Sequence, residues 1–335
     1  MQDKRNILVV GGAGFIGSHT TLALRNAGYN VTIYDNFSTG HEDACFGAST
    51  IRGELSDQAQ LTQVLRDQDI NCVVHFAALI EAGQSVIDPY AFFQNNVAAT
   101  LSLLKAMRAA DVSKLVFSST AAVYGNQDRD LLSEDLPKMP VNPYGDSKLM
   151  VETMLKTAAN AYGLTSIALR YFNAAGADPE GRTGERHDPE THLIPLLIQA
   201  ALGQRDKFMI FGTDYDTPDG TCIRDYIHVS DLASGHVAAV EHVLGQTDGS
   251  FDGINLGTGK GHSVRDVVDT VKRVSGRDFL VEECPRRAGD PAKLVADARR
   301  ARDVLNWQAE RSDLETIVED AWRFFSARAQ LPARN

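Results

Sequence analysis

No two cysteines stand at CxxC spacing: Cys45, Cys72, Cys222 and Cys284 are scattered, which fits reduced structural thiols rather than a disulfide framework or a thiolate zinc site. No metal is expected on that basis. Apolar runs near the roughly 20 residues that span a bilayer are also missing, so no membrane partner is expected. The opening MQDKRNILVVGG passes from charged residues straight into an apolar stretch, as expected of a cytoplasmic chain without a signal peptide. Basic residues are in deficit, 33 against 44 acidic, for a formal charge of −11, which argues against nucleic acid as a partner. An anionic ligand must then meet local basic groups. Solenoid-type repeats and low-complexity segments are absent as well.

What is present is an alternation of short apolar strands and helices. NILVVGGAGFIGSHTTLALRNAGYNVTIYDN spells a strand over 7–10, a glycine turn, an amphipathic helix ending near Gly28 and a strand over 31–34. The strand-like CVVHFA and KLVFSS follow, with a helical stretch from about 97 to 110 between them. Such an array predicts an α/β fold with a doubly wound parallel sheet covered on both faces. At 335 residues with 43% hydrophobic content, one main domain and a smaller lobe are expected.

The turn carries Gly11, Gly14 and Gly17 at every third place. The first permits a tight turn, the second lets backbone approach a pyrophosphate, and the third allows close helix packing, while the helix N-terminus offers free N–H groups. Asp35 closes the next strand, where a carboxylate accepts from a ribose hydroxyl and repels a 2′-phosphate; this favours NAD over NADP.

In NPYGDSKLM, Pro143 suits a first helical position, and Val151, Met154, Leu155, Ala158 and Tyr162 continue at helical spacing. Tyr144 and Lys148 then share a face. A phenol beside an ammonium and a cationic nicotinamide makes a tunable base; on its own, the pair fits a surface tyrosine beside a solvated lysine equally well. Ser118, Ser119 and Thr120 in VFSSTAAVYG favour the first reading, because ligands of a doubly wound sheet lie beyond the carboxyl ends of its strands.

Taken together, GGAGFIGSHT, YDNFSTG, VVHFAAL, NNVAAT, SSTAAVYG and PYGDSKLMVE, with LRYFNAAGA, DGTCIRDYIHVSDLA, NLGTG and RRAGDPAKLVAD behind them, resemble the extended short-chain dehydrogenase/reductase family over nearly the whole chain. The resemblance implies a Rossmann-type NAD-binding domain over 1–172 and a smaller C-terminal α/β lobe for a UDP-sugar over 173–335, the two allowed to interleave. It implies that Gly11, Gly14, Phe15, Ile16, Gly17, Asp35 and Asn36 line the NAD site. Glu54, Leu55, Phe76, Ala77, Ala78 and Asn96 are implied there too, together with Ser118, Tyr144, Lys148 and Tyr171. Related dehydratases carry an Asp-Glu pair after the strand-end threonine; Ala121 and Ala122 stand there and can move no proton.

The resemblance therefore implies C4 epimerisation of UDP-galactose and UDP-glucose through a 4-keto sugar. Tyr144 would be the base, Lys148 would hold the phenolate and the nicotinamide ribose, and Thr120 would steady the reacting oxygen. Asn173 and Arg224 are implied at the diphosphate, Arg287 and Asp290 at the diphosphate and uridine ribose, and Phe211 near the uracil. Tyr226, His192 and Leu193 are implied at the nucleotide, with His192 where asparagine is usual. Two other departures are Ile80 in place of a lysine and Glu54 in place of an aspartate. Leu294, where members restricted to glucose and galactose carry tyrosine, leaves room for N-acetylated UDP-hexosamines. A 4-epimerase or oxidoreductase for another nucleotide sugar, such as a UDP-uronate, is the alternative. A non-enzymatic cofactor sensor would be expected to lack the tyrosine or the lysine. His75 is expected to be a packed core residue and His187 a solvated loop residue. Helices near 90–110 and 144–162 resemble those that pair across a two-fold axis, which implies a homodimer.

Overall fold

The computed structural model describes residues 5–287 and 290–329. Seven parallel strands form the central sheet, in the order Ser250–Leu256, Thr165–Tyr171, Lys114–Thr120, Cys72–His75, Asn6–Val10, Asn30–Asp35 and Ser49–Arg52. The order reverses beside Asn6–Val10, and a crevice opens there at the carboxyl ends of the strands. Both faces are covered, so alternate residues of one strand enter opposite cores. Leu8 and Val10 pack with Leu103, Met107, Phe117, Val151 and Leu155 on one side. Ile7 and Val9 pack with Val116, Leu169, Leu232, Val240 and Ile254 on the other.

The back half of the chain contributes to this sheet. Ser250–Leu256 runs parallel to Thr165–Tyr171, and helix Val229–Gly245 packs on helix Phe15–Asn26. The remaining lobe has its own core, in which helices Leu193–Ala201, Val264–Ser275 and Leu314–Ala329 enclose Ile194, Leu197, Val267, Val271, Ile317 and Val318. Its strands are short: Phe208–Phe211 pairs with Val281–Cys284, and Ile223–Arg224 lies between His262–Ser263 and Lys293–Leu294. Asp225 ties this small sheet together. Its buried carboxylate accepts from the N–H groups of Thr258, Gly259 and Ala296 and from the Thr258 hydroxyl at 2.7–3.1 Å.

Helix Pro143–Tyr162 is fixed to the sheet by a buried ion pair. Arg170 meets Glu152 in a fork of 2.9 and 2.6 Å, and the Ser119 hydroxyl donates to the same carboxylate at 2.6 Å. Arg170 also donates to the Tyr124 hydroxyl at 3.1 Å, which in turn donates to Asn255 at 2.7 Å, so the network crosses three strands. A Cβ on Gly253 would come within 2.5 Å of the guanidinium, and the backbone there must stay bare. Removing one partner of such a pair leaves a charge buried alone, at about 3–5 kcal/mol. Glu152→Leu is expected to lower the unfolding free energy obtained from urea denaturation by that amount, with a lower midpoint, and Glu152→Leu with Arg170→Met to regain most of it. Equal midpoints for Glu152→Leu and the parent would show that the pair contributes nothing.

Candidate active site

The glycine turn makes the floor of a cleft of about 350 Å³. Gly11 has φ +78°, and a Cβ on it would meet the Ala77 nitrogen at 2.5 Å; one on Gly17 would meet the Gly11 carbonyl at 2.1 Å. A Cβ on Gly14 would touch only the Gly11 oxygen, at 3.6 Å, so its other side is open to the cleft it lines. Helix Phe15–Asn26 begins here with no side-chain cap and no acid in its first turn, which leaves its N–H groups and positive dipole end for an anion. Asp35 is held by N–H groups, from Ala13 to Oδ2 at 2.9 Å and from Phe37 to Oδ1 at 2.8 Å. Each oxygen keeps a lone pair for a hydroxyl donor. Asn36 donates to Glu54 at 3.1 Å, and both line the cleft with Leu55. Bare backbone, an uncapped helix start and an aimed carboxylate fit an adenine dinucleotide without a 2′-phosphate.

At the other end lie the residues that could move a proton. Asn142 caps helix Pro143–Tyr162 by accepting from the Gly145 N–H at 2.9 Å, and Pro143 takes the first turn as the sequence predicts. Lys148 is 3% exposed and donates to the Ser118 carbonyl at 2.9 Å; its ammonium lies 4.9 Å from the Phe117 ring centre and 6.0 Å from that of Tyr144. Burial lowers its pKa to about 7. Burial pushes the Tyr144 phenol up to about 12, with a Thr120 hydrogen bond pulling it down and the Glu81 carboxylate pushing it further up. Alone, then, the phenol keeps its proton at neutral pH, and positive charge entering the cleft is what would release it. Tyr171 hydrogen-bonds Ser118 Oγ, and burial raises its pKa.

Phe15, Ile16, Phe76, Ala77, Ala78, Thr120, Asn173, His192, Leu193 and Tyr226 also line this cleft. Asn96 does not: it is buried, exchanges hydrogen bonds with the Leu79 backbone at 2.8 and 2.9 Å, and donates to Ser147 at 3.0 Å, bracing helix Pro143–Tyr162. Phe211, Arg224, Arg287, Asp290 and Leu294 stand outside the lining as well. Leu294 lies opposite Arg224 in parallel register and packs near Ala121, Val123 and Tyr124, directly after Thr120. The Arg287 guanidinium covers the Phe211 ring at 3.9 Å. Among the described residues no carboxylate pairs with Arg224 or Arg287, which leaves both able to meet an anion.

Ile80 lines the cleft at 36% exposure, with Glu81 beside it instead of a cation. His75 is a core residue, 1% exposed and bonded to Thr100 at 2.9 Å. His187 corrects the expectation of a solvated side chain: it packs against Glu185 at 3.2 Å within the cleft wall. Burial alone would lower its pKa, but Glu185 and Glu190 outweigh that and set it at about 9; the same balance raises His192 to about 10. Sequence reasoning passed over Glu185 and Glu190 because a loop acid carries no periodic signal. Ser38, Thr39 and Gly40 also line the cleft, and only their place in YDNFSTG hinted at it.

Comparison with known proteins agrees with this geometry. Residues 7–257 match the model of the NAD dependent epimerase/dehydratase family. The chain is 50% identical over 327 residues to UDP-glucose 4-epimerase of Rhizobium meliloti (strain 1021), covering 98% of this chain and 99% of that one. It superposes on the crystal structure of UDP-glucose 4-epimerase from Brucella ovis in complex with NAD with a TM-score of 0.93, at 48% identity over 96% of this chain and 98% of the other. For the UDP-Glc/GlcNAc 4-epimerase from Campylobacter jejuni the TM-score is 0.84, at 40% identity over 96% and 99%. With the bare glycine turn, the aimed Asp35 and the Tyr144–Lys148 pair in one cleft, this chain belongs to the NAD dependent epimerase/dehydratase family.

Proposed function

We propose that the chain interconverts UDP-galactose and UDP-glucose by NAD-dependent epimerisation at C4. The observation that carries this is the convergence of Tyr144, Thr120 and Lys148 at one end of the dinucleotide cleft, next to Ala121 and Ala122, which offer no second acid or base. NAD, held by the glycine turn and Asp35, would supply a reversible hydride acceptor for C4 of the sugar, so that the 4-keto form can be reduced on either face. Tyr144 takes the proton of the 4-hydroxyl and later gives it back, and the Thr120 hydroxyl steadies the same oxygen. Lys148, tied to the Ser118 carbonyl, holds positive charge beside the phenol and reaches a ribose hydroxyl. For the sugar to present both faces, the grip falls on the nucleotide, with Asn173, Leu193 and Tyr226 in the wall and Arg224, Arg287, Asp290 and Phe211 beyond it. Turnover of a UDP-uronate would call for a cation at C6, and the cations among the described lining residues are engaged, Lys148 by the Ser118 carbonyl and His187 and His192 by Glu185 and Glu190.

The half-buried Leu294 beside Val123 and Tyr124 favours a broader substrate range that includes UDP-GlcNAc and UDP-GalNAc. A homodimer fits the exposed Val86, Ile87, Tyr90, Leu101 and Met150, which sit on helices packed side by side. Four free cysteines accord with a reduced, cytoplasmic setting.

Proton NMR of UDP-galactose with the purified protein and no added cofactor is expected to show UDP-glucose appearing. Tyr144→Phe is expected to slow it by about 10²–10⁴-fold, the worth of one positioned base. Silence from the parent protein, even with NAD supplied, would remove the proposal. Leu294→Tyr is expected to cut turnover of UDP-GlcNAc while sparing UDP-galactose; equal losses on both would refute the added room. Light scattering is expected to give twice the chain mass, and Leu101→Glu with Met150→Glu the single mass, whereas a monomeric parent would exclude the dimer.

A further inference from the structure

The loop that leads into helix Leu193–Ala201 gathers Glu185, His187, Glu190 and His192. One donor atom from each lies within 4.8 Å of all the others. Glu185 Oε1 is 3.2 Å from His187 Nδ1 and 2.5 Å from His192 Nδ1, and Glu190 Oε1 is 3.9 and 3.6 Å from the same nitrogens. Close as they are, Glu185 Oε1, His187 Nδ1 and His192 Nδ1 make no hydrogen bond of acceptable direction. Glu185 is 2% exposed, so its carboxylate oxygen is withdrawn from water as well.

Ion pairs between histidine and glutamate point an N–H at an oxygen lone pair. Here the donor atoms crowd within 4.8 Å of one another and three of them make no such bond, as the atoms of a ligand set do around an ion. In a tetrahedral site with bonds near 2.0–2.1 Å, ligand atoms stand about 3.3 Å apart. Of the four carboxylate-to-imidazole separations, three, at 3.2, 3.6 and 3.9 Å, lie near that spacing, and the 2.5 Å one would open as an ion enters. Glu190 is aimed by the N–H groups of Thr191 and His192, which donate to it at 2.8 and 2.9 Å. Two imidazoles and two carboxylates suit zinc or another late first-row ion, and disfavour magnesium and calcium, which want oxygen alone.

We propose that Glu185, His187, Glu190 and His192 form a binding site for one divalent transition-metal ion of the zinc type on the wall of the nucleotide cleft. The loop is anchored on its far side: Arg186 forks on to Asp43 at 2.8 and 2.9 Å, and the Arg186 carbonyl lies 3.1 Å from His41 Nε2. An ion on the near side would hold the loop from both sides and set the start of helix Leu193–Ala201. It would also place positive charge in a cleft wall of an acidic protein. This site does not rest on the epimerase reading, and neither does its test.

Whole protein freed of metal by chelator and dialysis would be titrated with Zn²⁺ in a calorimeter, and with Co²⁺ under visible absorption. One Zn²⁺ per chain is expected, with the intense absorption bands of four-coordinate Co²⁺ and no displacement by equal Mg²⁺. Glu185→Gln and His187→Gln are each expected to weaken Zn²⁺ binding by at least about tenfold. Should either fail to fold by circular dichroism, His192→Asn, which introduces the amide usual at that position in the family, replaces it with the same expectation. Absence of saturable binding, a Co²⁺ spectrum of the hexaaqua type, or equal affinity in parent and variants would overturn the site.

Discussion

The placement of Tyr144 depends on a carboxylate that stands outside the cleft lining. Glu152 lies one helical turn beyond Lys148 and two beyond Tyr144 on a shared face, and its fork with Arg170 sets both the rotation and the depth of helix Pro143–Tyr162 against the sheet. Apolar contacts through Val151 and Leu155 would tolerate a small rotation of that helix; a bidentate pair joined by Ser119 and Tyr124 would not. The ammonium of Lys148 therefore arrives at the Ser118 carbonyl as a consequence of helix placement, and the phenol arrives beside Thr120 for the same reason. A charged pair at this depth adds little net stability over an apolar one, so its value lies in fixing geometry.

Charge is distributed to match. An acidic chain needs positive potential where NAD enters, and it has few cations to place there. An uncapped helix start, Lys148, and Arg224 and Arg287, which pair with no carboxylate among the described residues, provide that potential. The high pKa of Tyr144 and the low one of Lys148 share one cause, burial, which disfavours the charged form of each; a cation entering the cleft would lower that of the phenol.

The front half was legible because its signals are local. Glycines at every third place, an acid at the end of the next strand and a proline at the start of helix Pro143–Tyr162 each occupy a few consecutive residues, and the structure has them as strand, turn and helix. Residues in the small lobe were harder to place, since Ile223–Arg224 and Lys293–Leu294 are strands of two residues whose existence depends on pairing across some 70 positions. Asn96 matched a family motif, yet its amide is consumed by Leu79 and Ser147, a partnership invisible without the fold. His187 and His192 stand among acids in a loop without period, and scattered cysteines had no bearing on a site built from imidazole and carboxylate.

The strand Ser250–Leu256 has a consequence for how the protein is made. It covers the flank of Thr165–Tyr171, so until it is synthesised the sheet presents an open edge of unpaired backbone groups. Roughly 80 residues separate the two strands, which at 5–20 residues per second is about 4–16 s of ribosome time. During that interval the nascent chain carries a buried-type strand, TSIALRY, exposed to any neighbour able to pair with it. The nucleotide-binding layer thus cannot close on its own as it leaves the ribosome, and crowded translation is where this fold is most open to misassociation.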